Sequence, residues 1–339
     1  MTNEGYYSDA NHGAHEYFDL GPTALASGYT LPEARLAYQT MGTLNEAKDN
    51  AVLFPHMFSG TSASMQIWAG AGRPLDPAKY FLIFPGQFGG GFSSSPSNTA
   101  APYGAGGFPP LSILDDVAAQ HPLVTEHFGI STLHAVMGWS MGAQQTYGWL
   151  TAHPEMVPRA AIFAGNARTP VHNQVFDDTA AEALSSDPAF ADGYYADSVD
   201  VHVGLARHAM VFSLMGLSAQ WYRDELWRGL GFASADDFRT GFVRAYFALM
   251  DPNNLLAQIA KWRAADASDQ LGAITGKVFV CAFSEDLLFP PADHAADAAK
   301  IPGAELRVIE TAAGHFAMFA LLPADVPAID AVIAETLSA

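Results

Sequence analysis

The chain has 339 residues, half of them hydrophobic and only 15% charged. That composition supports a large buried core and excludes intrinsic disorder, while the length allows two domains or one large domain with an insertion. Sixteen Lys and Arg stand against 35 Asp and Glu, a net charge of −19. So acidic a surface repels phosphate backbones and anionic lipid, which argues against a nucleic-acid or membrane partner. No uninterrupted apolar stretch approaches the roughly 20 residues of a membrane span. The opening run Met1-Thr2-Asn3-Glu4-Gly5 lacks the basic start and apolar run of a secretory leader. The single Cys281, in Val278-Phe279-Val280-Cys281-Ala282-Phe283, cannot close an intramolecular disulfide and reads as a small core hydrophobe. A cytoplasmic protein is expected; a homodimer is compatible with these features and not required by them.

In chain order, short apolar runs at residues 51–54 and 80–84 read as buried strands that end in loops. Residues 111–128 show apolar positions at three-to-four spacing, a helix stopped by Gly129. A strand at 133–137 runs into Gly138-Trp139-Ser140-Met141-Gly142, after which a helix continues to about His153. A further strand covers 159–164. From 166 to 269 the text turns helical, with Met210, Phe212, Met215, Trp221 and Trp227 at helix spacing and no strong strand. Strands resume at 277–283 and 305–309. Alternating strands and helices predict an α/β fold with a mostly parallel sheet covered on both faces. The expected division is a core domain of residues 1–165 and 270–339, with residues 166–269 inserted as a helical lid.

Gly138-Trp139-Ser140-Met141-Gly142 fits the nucleophile elbow Gly-x-Ser-x-Gly. A chain with 30 glycines can produce this pattern by chance, but the strand before it and the helix after it are the context it requires. A serine hydroxyl needs a base to take its proton and an acid to orient that base. Asp286 and His315 follow the strands at 277–283 and 305–309, in the expected order Ser, acid, His, although Glu285 and Asp293 are also nearby acids. Donors for a developing oxyanion are expected at the Met141 and Phe58 amides, with Trp139, Phe316 and Met57 in the substrate pocket. The histidine pairs His12/His15 and His202/His208 lack a supporting acid or Cys cluster, so no metal is expected, and no cofactor motif is present. The run Gln87-Phe88-Gly89-Gly90-Gly91-Phe92 lacks the Lys-Ser/Thr pair of a phosphate loop and reads as a flexible loop bordering the site.

These segments together resemble the homoserine O-acetyltransferase branch of the α/β-hydrolase superfamily. The similarity includes His56-Met57-Phe58-Ser59-Gly60, Ile113-Leu114-Asp115-Asp116-Val117, Gly138 to Gln144, Gly314-His315 and, most specifically, Asp286-Leu287-Leu288-Phe289-Pro290-Pro291. The resemblance implies a Ser-Asp-His triad, an acyl-serine intermediate and a helical lid over a tunnel. Three positions depart from the transferase pattern. Phe316 stands where an aspartate would hold the substrate ammonium, Ala209 before Met210 where an arginine would grip its carboxylate (with Arg207 close by), and Trp139 where a glycine precedes the nucleophile. A zwitterionic acceptor would lose two charge-assisted anchors of roughly 1.5–3 kcal/mol each. The expectation is therefore a serine esterase for small, uncharged, short-acyl esters, with an acyl-CoA-dependent O-acyltransferase as the alternative.

Overall fold

The computed structural model describes residues 5–339; the opening residues 1–4, read above for a leader, lie outside it. Eight strands among the described residues form one sheet in the order β1-β2-β4-β3-β5-β6-β7-β8. They are β1 Glu16–Ala24, β2 Thr30–Met41, β3 Ala51–Leu53, β4 Phe81–Pro85, β5 Ala135–Trp139, β6 Arg159–Phe163, β7 Lys277–Phe283 and β8 Glu305–Ile309. From β4 to β8 across the sheet every pairing is parallel; β1 and β2 join antiparallel at one end. This is the mostly parallel α/β sheet that the alternation predicted.

Strands β3 to β6 are buried on both faces apart from half-buried Arg159, and alternate residues divide between two cores. Leu53, Ile83, Val136, Ile162 and Val280 pack beneath the helices α1 (Ile113–Pro122) and α2 (Met141–Ala152). Val52, Phe84, Met137, Phe163 and Cys281 face the other way. That second core continues into the helical segment between β6 and β7 through Phe176, Phe212, Trp221 and Trp262. The segment contains α3 (Val171–Ser185), α4 (His202–Met215) and α5 (Pro252–Arg263), joined by short helical turns. Two more helices, α6 (Pro291–Ala298) and α7 (Val326–Ser338), follow β7 and β8. No described helix is long and apolar enough to cross a membrane.

The helix expected over 111–128 starts at a capping box, in which the Ser112 hydroxyl accepts from the Asp115 amide and the Asp115 carboxylate accepts from the Ser112 amide. It is regular only to Pro122 and then widens over Leu123–His127 before Gly129. Strands β1 and β2 carried no signal in the sequence reading. β1 has no fully buried residue, and its pairing is interrupted around Gly21. Alternation of apolar and polar residues, the signal for a half-buried strand, is therefore lost there.

Inside the helical segment, Asp177 of α3 is buried with neither carboxylate oxygen hydrogen-bonded. Burial pushes its carboxyl up to about 8, reinforced by neighbouring Asp178 and opposed by Arg263. The folded state thus holds this proton more tightly than the unfolded chain does, so its stabilising contribution is complete below the ordinary value near 4 and is lost as pH rises through about 8. We expect Asp177→Asn to change stability little at pH 4 and to raise it by about 2–5 kcal/mol at pH 9. Denaturant titrations at the two pH values measure this.

Candidate active site

The sequence Gly138-Trp139-Ser140-Met141-Gly142 spans the end of β5 and the first residues of α2. Ser140 sits at φ 58°, ψ −120°, a conformation that non-glycine residues adopt only when their surroundings impose it. Its amide donates to Phe163 O at 2.9 Å in neighbouring β6. A Cβ on Gly138 would lie 2.1 Å from Gly142 O, and one on Gly142 would lie 2.3 Å from Pro55 O. The glycines therefore give the turn its room and let the loop after β3 approach the start of α2.

Ser140, Asp286 and His315 are each buried, and the fold brings them into one hydrogen-bonded line. The Ser140 hydroxyl donates to His315 Nε2 at 2.9 Å, and His315 Nδ1 donates to Asp286 Oδ2 at 2.8 Å. The other Asp286 oxygen accepts from the Leu288 and Phe289 amides at 2.8 and 2.9 Å. A turn of its own chain thus fixes the carboxylate, while Glu285 beside it is exposed. The imidazole lies between the rings of Trp139 and Phe289, with centroids at 5.4 and 5.5 Å. With Nδ1 committed to a carboxylate, Nε2 is free to take the serine proton.

Beside Ser140, the Met141 amide occupies the first turn of α2, where a helix leaves its N–H groups without intrahelical acceptors. Across from it runs His56-Met57-Phe58-Ser59-Gly60, with Ser59 at φ 59°. The Met57 carbonyl oxygen, on the same peptide unit as the Phe58 N–H, accepts from Gln87 Nε2 at 3.1 Å and from His56 Nδ1 at 2.9 Å. His56 is buried and burial holds its imidazole down to about 3, so it is neutral in this role.

The cavity over Ser140 is lined by Met57, Trp139 and Phe316 and by Phe212, Phe242, Tyr246 and Trp262 from the helical segment. It leaves about 40 Å³ for the centre of a water-sized sphere. Among the described residues no Asp, Glu, Lys or Arg lines it, and His315 is its one imidazole. Ala209 is buried away from the cavity wall, and Arg207 is exposed with its guanidinium donating to Ser186 Oγ at 3.2 Å. The glycine-rich run at 87–92 differs from the expected flexible border. It is buried, and Phe88 N donates to Asp116 while Gly89 O accepts from Gln258. Of the histidine pairs, His202 is exposed and His208 is buried among Phe58, Phe212 and Phe247, so that pair does not converge. Cys281 lies buried in β7 with burial pushing its thiol up, as a core residue would.

Sequence reasoning missed Gln258, Lys261 and Tyr246. They stand more than 100 residues from the elbow inside an aromatic-rich helical text, and only the three-residue spacing of two polar side chains in α5 hints at a shared face.

The family described as alpha/beta hydrolase fold matches residues 50–320. An ethyl acetate hydrolase of Pseudomonas veronii is 43% identical, over 98% of this chain and 98% of its own. The crystal structure of an acetylester hydrolase from Corynebacterium glutamicum superposes with a TM-score of 0.98 at 40% identity, over 100% of both chains. A homoserine O-acetyltransferase of Bradyrhizobium diazoefficiens is 31% identical over 89% of this chain and 85% of its own. The family match over residues 50–320 and these identities place the chain in the alpha/beta hydrolase fold family.

Proposed function

We propose that this protein is a serine carboxylic-ester hydrolase for small, uncharged, short-acyl esters, acetates foremost. The reading is supported by the hydrogen-bonded line Ser140–His315–Asp286 and by the two esterase relatives. Ser140 Oγ attacks the ester carbonyl as His315 Nε2 takes its proton, and Asp286 stabilises the imidazolium that forms. The Phe58 and Met141 N–H groups receive the oxyanion. The C–O bond to the alcohol then breaks, and His315 returns the proton to the leaving alcohol. Water next loses a proton to His315, attacks acyl-Ser140, and releases the carboxylic acid and the free serine. The helical segment serves as a lid that keeps the site dry.

The observation that supports water as the acceptor is the cavity wall. An amino-acid acceptor must bring a carboxylate and an ammonium out of water, and each needs an opposite charge. Among the described residues the wall has no carboxylate or fixed cation, and Arg207 is exposed with its guanidinium on Ser186. The enclosed space is small, about 40 Å³, which suits an acetyl group better than a long chain. With p-nitrophenyl acetate, acetyl-CoA and homoserine supplied together, free acetate should form faster than O-acetylhomoserine. Faster O-acetylhomoserine formation would make the protein a transferase.

Ser140→Ala should lower turnover by about three orders of magnitude or more without loss of fold, since the hydroxyl leaves no large cavity. A variant keeping a tenth of wild-type activity would refute the nucleophile. Asp286→Asn should be strongly impaired and Glu285→Gln nearly unaffected; the reverse order in kcat/KM would move the acid to Glu285.

A further inference from the structure

The Phe58 N–H can stabilise an oxyanion only if its peptide unit is already turned toward Ser140. Two consecutive peptide units set that direction, and both are held from helix α5. The Met57–Phe58 unit is held at its oxygen by Gln87 Nε2, at 3.1 Å. The Gln87 amide is itself oriented by Lys261 Nζ, which donates to Gln87 Oε1 at 2.8 Å. The Phe58–Ser59 unit is held at its nitrogen, because Ser59 N donates to Gln258 Oε1 at 3.0 Å. Gln258 Nε2 in turn donates to Gly89 O at 3.1 Å. Gln258 and Lys261 are three residues apart in α5, on one face of the helix, and both are buried.

Lys261 has no freedom to let go. Its ammonium also donates to Phe88 O at 2.9 Å and to Asp116 Oδ2 at 2.6 Å, so all three donors are used. Tyr246, from the short helix before α5, adds a contact by donating to Ser59 O at 3.2 Å. These side chains touch neither the serine nor the cavity floor, apart from Tyr246. We infer that Gln258 and Lys261 are positioning residues that preset the Phe58 N–H of the oxyanion hole, acting through Ser59 and through Gln87. The oxyanion hole is therefore assembled by the docking of α5, and the lid contributes to the transition state without touching it. The inference rests on the esterase reading above.

The test compares Gln258→Met and Gln87→Met with the wild-type enzyme. Each removes one clamp while keeping Lys261 paired with Asp116, and thermal unfolding shows that the variant is folded. Substrate is p-nitrophenyl acetate, and the probe for the tetrahedral state is 1,1,1-trifluoroacetone, whose adduct with a serine carries an oxyanion. Because acylation and deacylation both pass through an oxyanion, kcat should fall about 10- to 100-fold with KM within about threefold. The inhibition constant for the ketone should rise by a similar factor. If either folded variant keeps kcat and ketone affinity within about threefold of wild type, or loses activity through KM alone, the positioning role is wrong. If Gln258→Met does not fold, Gln87→Met carries the same test. A wild-type enzyme that neither turns over the ester nor binds the ketone would overturn the esterase reading itself, which is a separate result.

Discussion

Ser140 is held in a backbone conformation that costs on the order of 1–3 kcal/mol, and the rest of the site follows from how that strain is imposed. The turn closes so tightly that Gly138 and Gly142 almost touch, which raises the hydroxyl above the end of β5 and starts α2 immediately. The same closeness lets Pro55 O lie against Gly142, so the loop after β3 passes directly beside the Met141 amide. A side chain at Gly142 would push the two apart. Ser140 and the two amides proposed as oxyanion donors are thus brought together by one close backbone approach at the centre of a parallel sheet.

Behind this turn the buried ion pair of Lys261 and Asp116 is fully engaged. Burial pushes the Asp116 carboxyl up and the Lys261 ammonium down, and each charge opposes the other's shift. The pair survives in the interior because Lys261 uses every donor and Asp116 also accepts from Phe88 N at 2.8 Å. Breaking such a pair by removing one partner costs about 3–5 kcal/mol, whereas an apolar replacement of both is often neutral. Retaining charges here makes sense as geometry rather than stability: they fix where α5 meets the loops of the core.

The apolar wall has two consequences that reinforce each other. A dry cavity strengthens the interaction between the oxyanion and its donors, since little solvent competes with the field. It also raises the cost of admitting a charged acceptor, because no wall residue repays the lost hydration. Trp139 and Phe316 contribute to both effects, and Trp139 additionally packs edge-on against Phe319 at 4.8 Å. On the proposed esterase reading, discrimination between acceptors rests on desolvation and leaves the hydrogen-bonded line of Ser140, His315 and Asp286 unchanged.

Much of this was legible in the residues. Parallel strands buried on both faces read as continuous apolar runs, so β3 to β7 were visible, and the serine was marked because its backbone tolerates only small neighbours at fixed offsets. Asp286 follows such a strand and His315 follows the half-exposed β8, and chain order then limits the choice. The antiparallel end of the sheet was invisible, since β1 exposes both faces and pairs irregularly around Gly21. The glycine-rich run misled for a related reason: glycine permits a mobile loop and a tightly packed one alike, and only the partners of Phe88 and Gly89 decide between them. Gln258, Lys261 and Tyr246 had almost no local signature, only the three-residue spacing of the first two in α5. Their significance depends on which backbone atoms of a distant loop they meet, and contacts across more than 140 residues are set by how α5 packs on the sheet, which no pattern within the helix encodes.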